Sequence, residues 1–209
     1  VILCFFHEEK QEPKALHFHL GDVIAIKALP FTLVACSYSF VNGIIASYLV
    51  LYADELGIEG ISVYFTVCAV VLFIVRPFSG KLMDRKGIRV TVFPGLILTA
   101  AGMFMLGQSA TLPLILVTGV LRSLGQGAAQ PALQAGCINE VGLDKSGVAT
   151  STYYLGGDIS QGIGPMVGGM VVETIAGIQG YTALFNLCGV LLLCALVFFA
   201  FVTRKKRVV

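Results

Sequence analysis

Charge is what this sequence has least of. Only 12% of its 209 residues are Asp, Glu, Lys or Arg, about half the share that soluble domains carry. Tryptophan is absent. A water-facing surface cannot be covered with so few charges, so a soluble enzyme, a disordered tail and a nucleic-acid reader are all excluded. Histidine occurs only at His7, His17 and His19, in one polar stretch near the start. His17-x-His19 reads as part of a solvated linker rather than as a metal site. The six cysteines, Cys4, Cys36, Cys68, Cys137, Cys188 and Cys194, show no Cys-x-x-Cys spacing. They read as small apolar side chains, not as zinc ligands or a disulfide framework. Neither a phosphate-binding loop nor a His, Cys and acid cluster at catalytic spacing is found, so no enzyme activity, cofactor or metal is expected.

What fills the sequence instead is apolar. Hydrophobic residues make up 56%, glycine contributes 24 residues, and the mean hydropathy is +0.88. A helix needs about 20 apolar residues to cross a hydrocarbon core about 30 Å thick. Six stretches are long enough: 30–52, 61–82, 90–108, 112–137, 147–173 and 181–203. They are continuously apolar and too long for barrel strands, and lipid offers no partner for unpaired backbone groups. The expected fold is therefore all-α, with six transmembrane helices over residues 30–203. Residues 1–29 read as a leading segment, with a short interfacial helix near 22–29, and residues 204–209 as a basic tail. The opening Val-Ile-Leu-Cys-Phe-Phe lacks the charged start of a signal peptide. It is expected to be the stump of an earlier membrane helix joined by a linker, with a flexible processed leader as the alternative.

Loop charge sets the orientation. Twelve of the fourteen Lys and Arg residues fall on the side of the two termini, among them Lys81, Arg85, Arg89, Lys145 and the run from Arg204 to Arg207. The opposite loops carry Asp54, Glu55 and Glu59 and no basic residue. Both ends are thus expected in the cytoplasm, with the chain in a plasma or inner membrane.

Polar residues at membrane depth are the next signal, because a mid-bilayer charge costs about 2.5–3.5 kcal/mol on insertion scales. Arg76 is placed close enough to the cytoplasmic end of helix 2 to snorkel. Arg122, ten residues into helix 4 and so about 15 Å deep, has no such exit. Asp158 on helix 5 and Asn42 on helix 1 reach similar depth. Arg122, Gln126, Gln130 and Gln134 repeat every four residues and share one helix face. Ser151, Tyr154, Asp158, Gln161 and Pro165 form a second polar face. Gly156, Ser160, Gly164 and Gly168 line the other side of helix 5 as a small-residue packing row. Two readings stay open: Arg122 and Asp158 as a buried pair that fixes helix register, or a water-accessible cavity with a titratable carboxylate.

Gly80-Lys81-Leu82-Met83-Asp84-Arg85-Lys86-Gly87-Ile88-Arg89 resembles the major facilitator superfamily signature G-x-L-x-D-R-x-G-R-[KR], with Ile88 where the family usually has Arg. The signature belongs between the second and third helices of a six-helix half, which is where it falls here. Gly162-Ile163-Gly164-Pro165-Met166-Val167-Gly168-Gly169 is similar to the G-P-x-x-G-G motif of drug:proton antiporters in that superfamily. The segments 130–135 and 152–158 resemble second halves. The R-x-x-x-G spacing known from first halves is disturbed by Gly125 and Gly127 on either side of Gln126.

The resemblance implies one half, the C-terminal six helices, of a twelve-helix transporter built as two inverted three-helix repeats. It implies proton-coupled efflux of small amphipathic compounds by alternating access. The expected partners are a small-molecule substrate, protons, the lipid bilayer and an N-terminal six-helix half. Asp158 and Arg122 are the proton-coupling candidates; Asn42, Gln126, Gln130 and Tyr154 are the substrate-cavity candidates. Gly80, Asp84, Arg85, Gly87 and Arg89 are assigned to gating, with Gly80 and Gly87 both expected to shape a turn. Gly164, Pro165, Gly168 and Gly169 are assigned to helix kinking and packing. The rival readings are a sugar or amino-acid transporter of the same fold, and a non-transporting scaffold or receptor.

Overall fold

A computed structural model describes residues 24–205. The expected helix stump, most of the leading linker and residues 206–209 lie outside that range. Among the described residues there are six helices and no strand: α1 Leu29–Glu55, α2 Ser62–Lys86, α3 Ile88–Leu106, α4 Leu112–Val141, α5 Ser146–Thr174 and α6 Ile178–Lys205. The expected interfacial helix is one 3-10 turn, Ile26–Ala28, that runs directly into α1.

Five helices are long and apolar enough to cross a membrane, and α5 falls short of that measure. Its sequence explains why. Ser151, Thr152, Tyr154, Asp158, Ser160 and Gln161 dilute its apolar residues, and a helix with so many polar groups is suited to an aqueous or protein-facing side. The chain is a multi-pass membrane protein in which one long helix is markedly more polar than its neighbours.

The helices pack as α3 on α4, α1 on α5, α2 on α4 and α3 on α6, with α1 also touching α6 and α4. Lipid gives no hydrophobic drive for helices to associate, so close backbone approach and hydrogen bonds must hold them. Glycine supplies the approach. A Cβ at Gly164 would meet the Phe40 carbonyl oxygen at 2.6 Å, and one at Gly119 would meet the Tyr64 ring at 2.6 Å. Prolines supply freed carbonyls. Pro131 removes the N–H that would satisfy Gly127, and the Ser79 hydroxyl on α2 donates to that carbonyl instead, at 3.2 Å.

Two expectations about α2 need correcting. Gly80 is not in a turn; the helix continues through it to Lys86. Gly87 alone makes the break, at φ 82° and ψ 167°, a region open essentially only to glycine. The longer helix also leaves Arg76 ten residues from its end, about 15 Å away.

Candidate functional site

The polar stripes of α4 and α5 meet. A cavity of about 340 Å³ is lined by Ser39 and Asn42 of α1, Arg76 of α2, Gln130, Pro131 and Gln134 of α4, and Tyr153, Tyr154, Gly157, Asp158 and Gln161 of α5. Asp158 lies twelve residues from the start of the 29-residue α5, close to its middle. Asn42 is at the middle of α1. The cavity therefore sits near the midplane of the bundle. It holds one carboxylate and one guanidinium, those of Asp158 and Arg76.

Arg122 is placed behind this cavity, not against Asp158. It is 7% exposed, and its guanidinium is held by neutral acceptors from three helices. Nη1 donates to Asn42 Oδ1 at 2.6 Å and to Gln126 Oε1 at 2.8 Å. Nε donates to the Tyr64 hydroxyl at 3.2 Å. No hydrogen bond or ion pair joins Arg122 to Asp158 among the described residues, so the register-fixing pair is not formed. The cause lies in helix placement: α4 presents its Arg122 face to α1 and α2, whereas Asp158 faces the cavity beside Arg76.

The four-residue period of α4 builds a relay of amides. Gln126 Nε2 donates to Gln130 Oε1 at 3.2 Å, and Gln134 Nε2 donates to the Tyr154 hydroxyl at 3.4 Å. Asn42 and Gln130 belong both to this network and to the cavity wall. Gln126 is squeezed between Gly125, which faces Gly95 and Thr99 of α3, and Gly127, which faces Leu72 and Val75 of α2. The glycines that disturb the first-half spacing are thus what let α4 lie close to two helices at once.

Sequence reasoning missed three contributors. Tyr64 is fully buried and reaches Arg122 from α2. Arg76 lines the cavity. Tyr153, also on the wall, donates to the Gln130 carbonyl at 3.2 Å. The only available signal was the depth of Arg76, which a correct end for α2 would have revealed.

Around the gating sequence, Asp84 and Gly87 line a second cavity with Ile88, Gly136, Asn139 and Glu140. Asp84 accepts no hydrogen bond among the described residues, so it does not cap a helix end. Arg85 is exposed and Arg89 is half-buried. Of the packing residues, Gly164 and Gly168 lie against Phe40 and Tyr48 of α1, and Gly169 is near the Tyr48 hydroxyl. That hydroxyl donates to the Pro165 carbonyl at 2.8 Å. Tyr48→Phe should lower stability by about 1 kcal/mol, the net worth of one such bond. Thermal unfolding in detergent, followed by thiol-reactive dye at the buried Cys68, Cys137 and Cys188, would measure it; an unchanged midpoint would show that the bond contributes nothing.

A polar, ionisable cavity at the midplane of a helical membrane bundle is the architecture of a transporter rather than of an enzyme. The chain belongs to the Major Facilitator Superfamily, whose family model matches residues 31–209. It is 29% identical over 170 residues to the multidrug resistance protein MdtG of Salmonella paratyphi C, covering 78% of this chain and 41% of that protein. It is 30% identical over 169 residues to MdtG of Proteus mirabilis, with the same coverage of both chains. The putative multidrug resistance protein MdtD of Klebsiella pneumoniae matches at 28% over 123 residues, 58% of this chain and 26% of that protein. The chain thus spans less than half the length of these relatives.

Proposed function

We propose that this chain is one six-helix half, the C-terminal one, of a twelve-helix exporter that couples the outward movement of small amphipathic compounds to protons. The observation that carries the reading is Asp158, a carboxylate on the wall of a midplane cavity in a chain related to multidrug resistance proteins. Coupling sites of secondary transporters lie at this depth, at repeat interfaces.

The packing supports two inverted three-helix repeats. A pseudo-two-fold that exchanges α1 with α4, α2 with α5 and α3 with α6 turns the α1–α5 contact into α4–α2. It turns α3–α4 into α6–α1, and leaves α3–α6 in place; each of these contacts is present. Large apolar residues remain exposed on both sides of the cavity: Phe73, Ile74 and Phe78 on α2, and Ile159, Met166 and Met170 on α5. A second six-helix body and lipid would cover them. The relatives' greater length is consistent with such a body.

In this reading Asp158 takes and releases the proton, and Asn42, Gln126, Gln130 and Tyr154 offer polar contacts to the substrate. The segment from Gly80 to Arg89 gates against the other half, and both termini face the cytoplasm. Arg122 has neutral partners, so protonation of Asp158 does not act by releasing it. Arg76, on the same cavity wall, is the cation whose balance with Asp158 changes when the carboxylate is neutralised. A ligand or proton shifts a conformational equilibrium only by its differential affinity for the two states. Asp158→Asn in the twelve-helix protein should abolish proton-driven efflux from inverted vesicles while leaving downhill movement of the compound. Proton-driven efflux at the wild-type rate would sink the assignment.

A further inference from the structure

Arg76 and Asp158 carry opposite charges on the wall of one midplane cavity, and they do not meet. No hydrogen bond or ion pair joins them, and neither charged group has a hydrogen-bond partner among the described residues. Both side chains are exposed. The cause is their placement: Arg76 stands near the middle of α2, which packs on α4, and Asp158 near the middle of α5, which packs on α1. The wall they share encloses about 340 Å³, and every other side chain on it is neutral. Arg122 is not among the lining residues. Charges at membrane depth are costly unless they are paired. A solute with only a positive charge gains at Asp158 and is repelled by Arg76. One with only a negative charge gains at Arg76 and is repelled by Asp158. A neutral solute leaves both groups unpaired, whereas a solute that carries both charges gains at each.

We propose that this cavity selects zwitterions: small amphipathic molecules with an ammonium group and a carboxylate on one head. The inference rests on the transporter reading and adds a substrate class to it. The ammonium would donate to the Asp158 carboxylate. The ligand's carboxylate would accept from Arg76, whose planar guanidinium binds such oxygens in a two-pronged geometry. Gln130, Gln134 and Gln161 add amides that donate and accept alike, so they favour neither sign. Selectivity therefore comes from the two charges. It arises as much from repulsion of a solute with the wrong single charge as from attraction of the right pair.

The test uses dansyl compounds that share one fluorescent body and differ in the charge at the far end. They are the zwitterion ε-dansyl-lysine; dansylcadaverine, which lacks the carboxylate; dansyl-aminocaproate, which lacks the ammonium; and dansyl-pentylamide, which lacks both. Binding to the purified full-length protein in detergent is read from the rise in dansyl emission. The wild type should bind ε-dansyl-lysine about tenfold more tightly than either single-charge compound, the worth of one charge-assisted hydrogen bond. Arg76→Gln should erase the preference over dansylcadaverine and keep that over dansyl-aminocaproate. Asp158→Asn should do the reverse. A structural role for either residue would instead weaken all the compounds together, and that result would overturn the proposal. Equal affinities in the wild type, or tighter binding of a single-charge compound, would overturn it too; fixed groups of the facing half would then already satisfy one or both charges. This ranking decides the matter even if a variant fails to fold. Proton-driven efflux of the same compounds from inverted vesicles checks the transporter reading separately. Efflux without a preference for the zwitterion would keep that reading and remove this inference, whereas efflux of none of them would remove both.

Discussion

Gly43→Leu should separate α1 from α5 and destabilise the bundle by about 3 kcal/mol or more, the upper range for inserting bulk into a packed core. Pro165 has no N–H to offer the carbonyl four residues earlier, so the Gln161 carbonyl projects out of the α5 ladder. Gly43 is the α1 residue that lies on it. A Cβ at Gly43 would run into the Gln161 carbonyl oxygen and would meet Pro165 Cδ at 3.0 Å. Neither obstacle is the free end of a flexible side chain; one is backbone and the other is a ring, so neither can swing aside. Gly162, one residue from that carbonyl, has nothing within 4 Å of its would-be Cβ. Gly162→Leu is therefore the matched control and should shift stability by no more than about 0.5 kcal/mol, as surface changes do. The temperature at which Cys68, Cys137 and Cys188 become reactive to a thiol dye measures both variants. Equal shifts for the two would show that the α1–α5 contact is not closely packed.

The same contact shows what the sequence makes legible and what it does not. Gly156, Gly164 and Gly168 stand at four-residue multiples, and that period alone marks one face of α5 for close packing. The structure puts α1 there, with Thr32, Phe40 and Tyr48 against those glycines in turn. No periodicity on α5 names α1 as the neighbour, and Gly43 carries no pattern of its own. Its importance comes from a proline more than a hundred residues later. Helix count and the α4 stripe were legible for a related reason: both are local, set by the run length of apolar residues and by the spacing of amides along one helix. The Arg122, Gln126 and Gln130 hydrogen bonds follow from that spacing.

Partnership across helices was not legible. Arg122 and Asp158 share a depth and lie on consecutive helices, which makes a pair between them the economical guess. Depth fixes only one coordinate, however. Rotation of α4 about its axis is decided by Gly119, Gly125 and Gly127, which seat it against α2 and α3. That rotation delivers Arg122 to Tyr64 and Asn42. The position of Arg76 failed for a simpler reason. Lys81, Arg85 and Lys86 look like loop residues by charge, yet they continue α2 as its last turns, where cations are favoured by the helix dipole. With α2 ending at residue 82, Arg76 reads as close to a helix end; with α2 ending at Lys86, it lies ten residues in and is the one cation of the cavity wall.

Asn42→Leu should lower stability by about 2–3 kcal/mol, because it strips a charge-assisted hydrogen bond from a buried cation and leaves that cation less satisfied. Asn42 Oδ1 makes the shortest contact in the cluster, 2.6 Å from Arg122 Nη1. Gln126 and Tyr64 remain, so the arginine keeps two acceptors and the bundle should still fold. Arg122→Leu strands the opposite partners, Asn42, Gln126 and the Tyr64 hydroxyl, and should cost about 1–3 kcal/mol for the polar groups left unpaired. Once Arg122 is gone, however, the half-buried Asn42 no longer has that bond to lose, so its replacement by leucine costs little more. The double variant should therefore be more stable than the sum of the single losses predicts, by about 1–2 kcal/mol, the size expected for neighbours in one network. Unfolding of all four proteins in the same detergent closes the cycle. Additive losses would mean that Asn42 and Arg122 do not contact each other. A coupling of the predicted sign would establish that α1 and α4 are joined at the midplane by a charge held on neutral acceptors. Three neutral side chains from α1, α2 and α4 then hold one guanidinium, so a single buried cation ties three helices together.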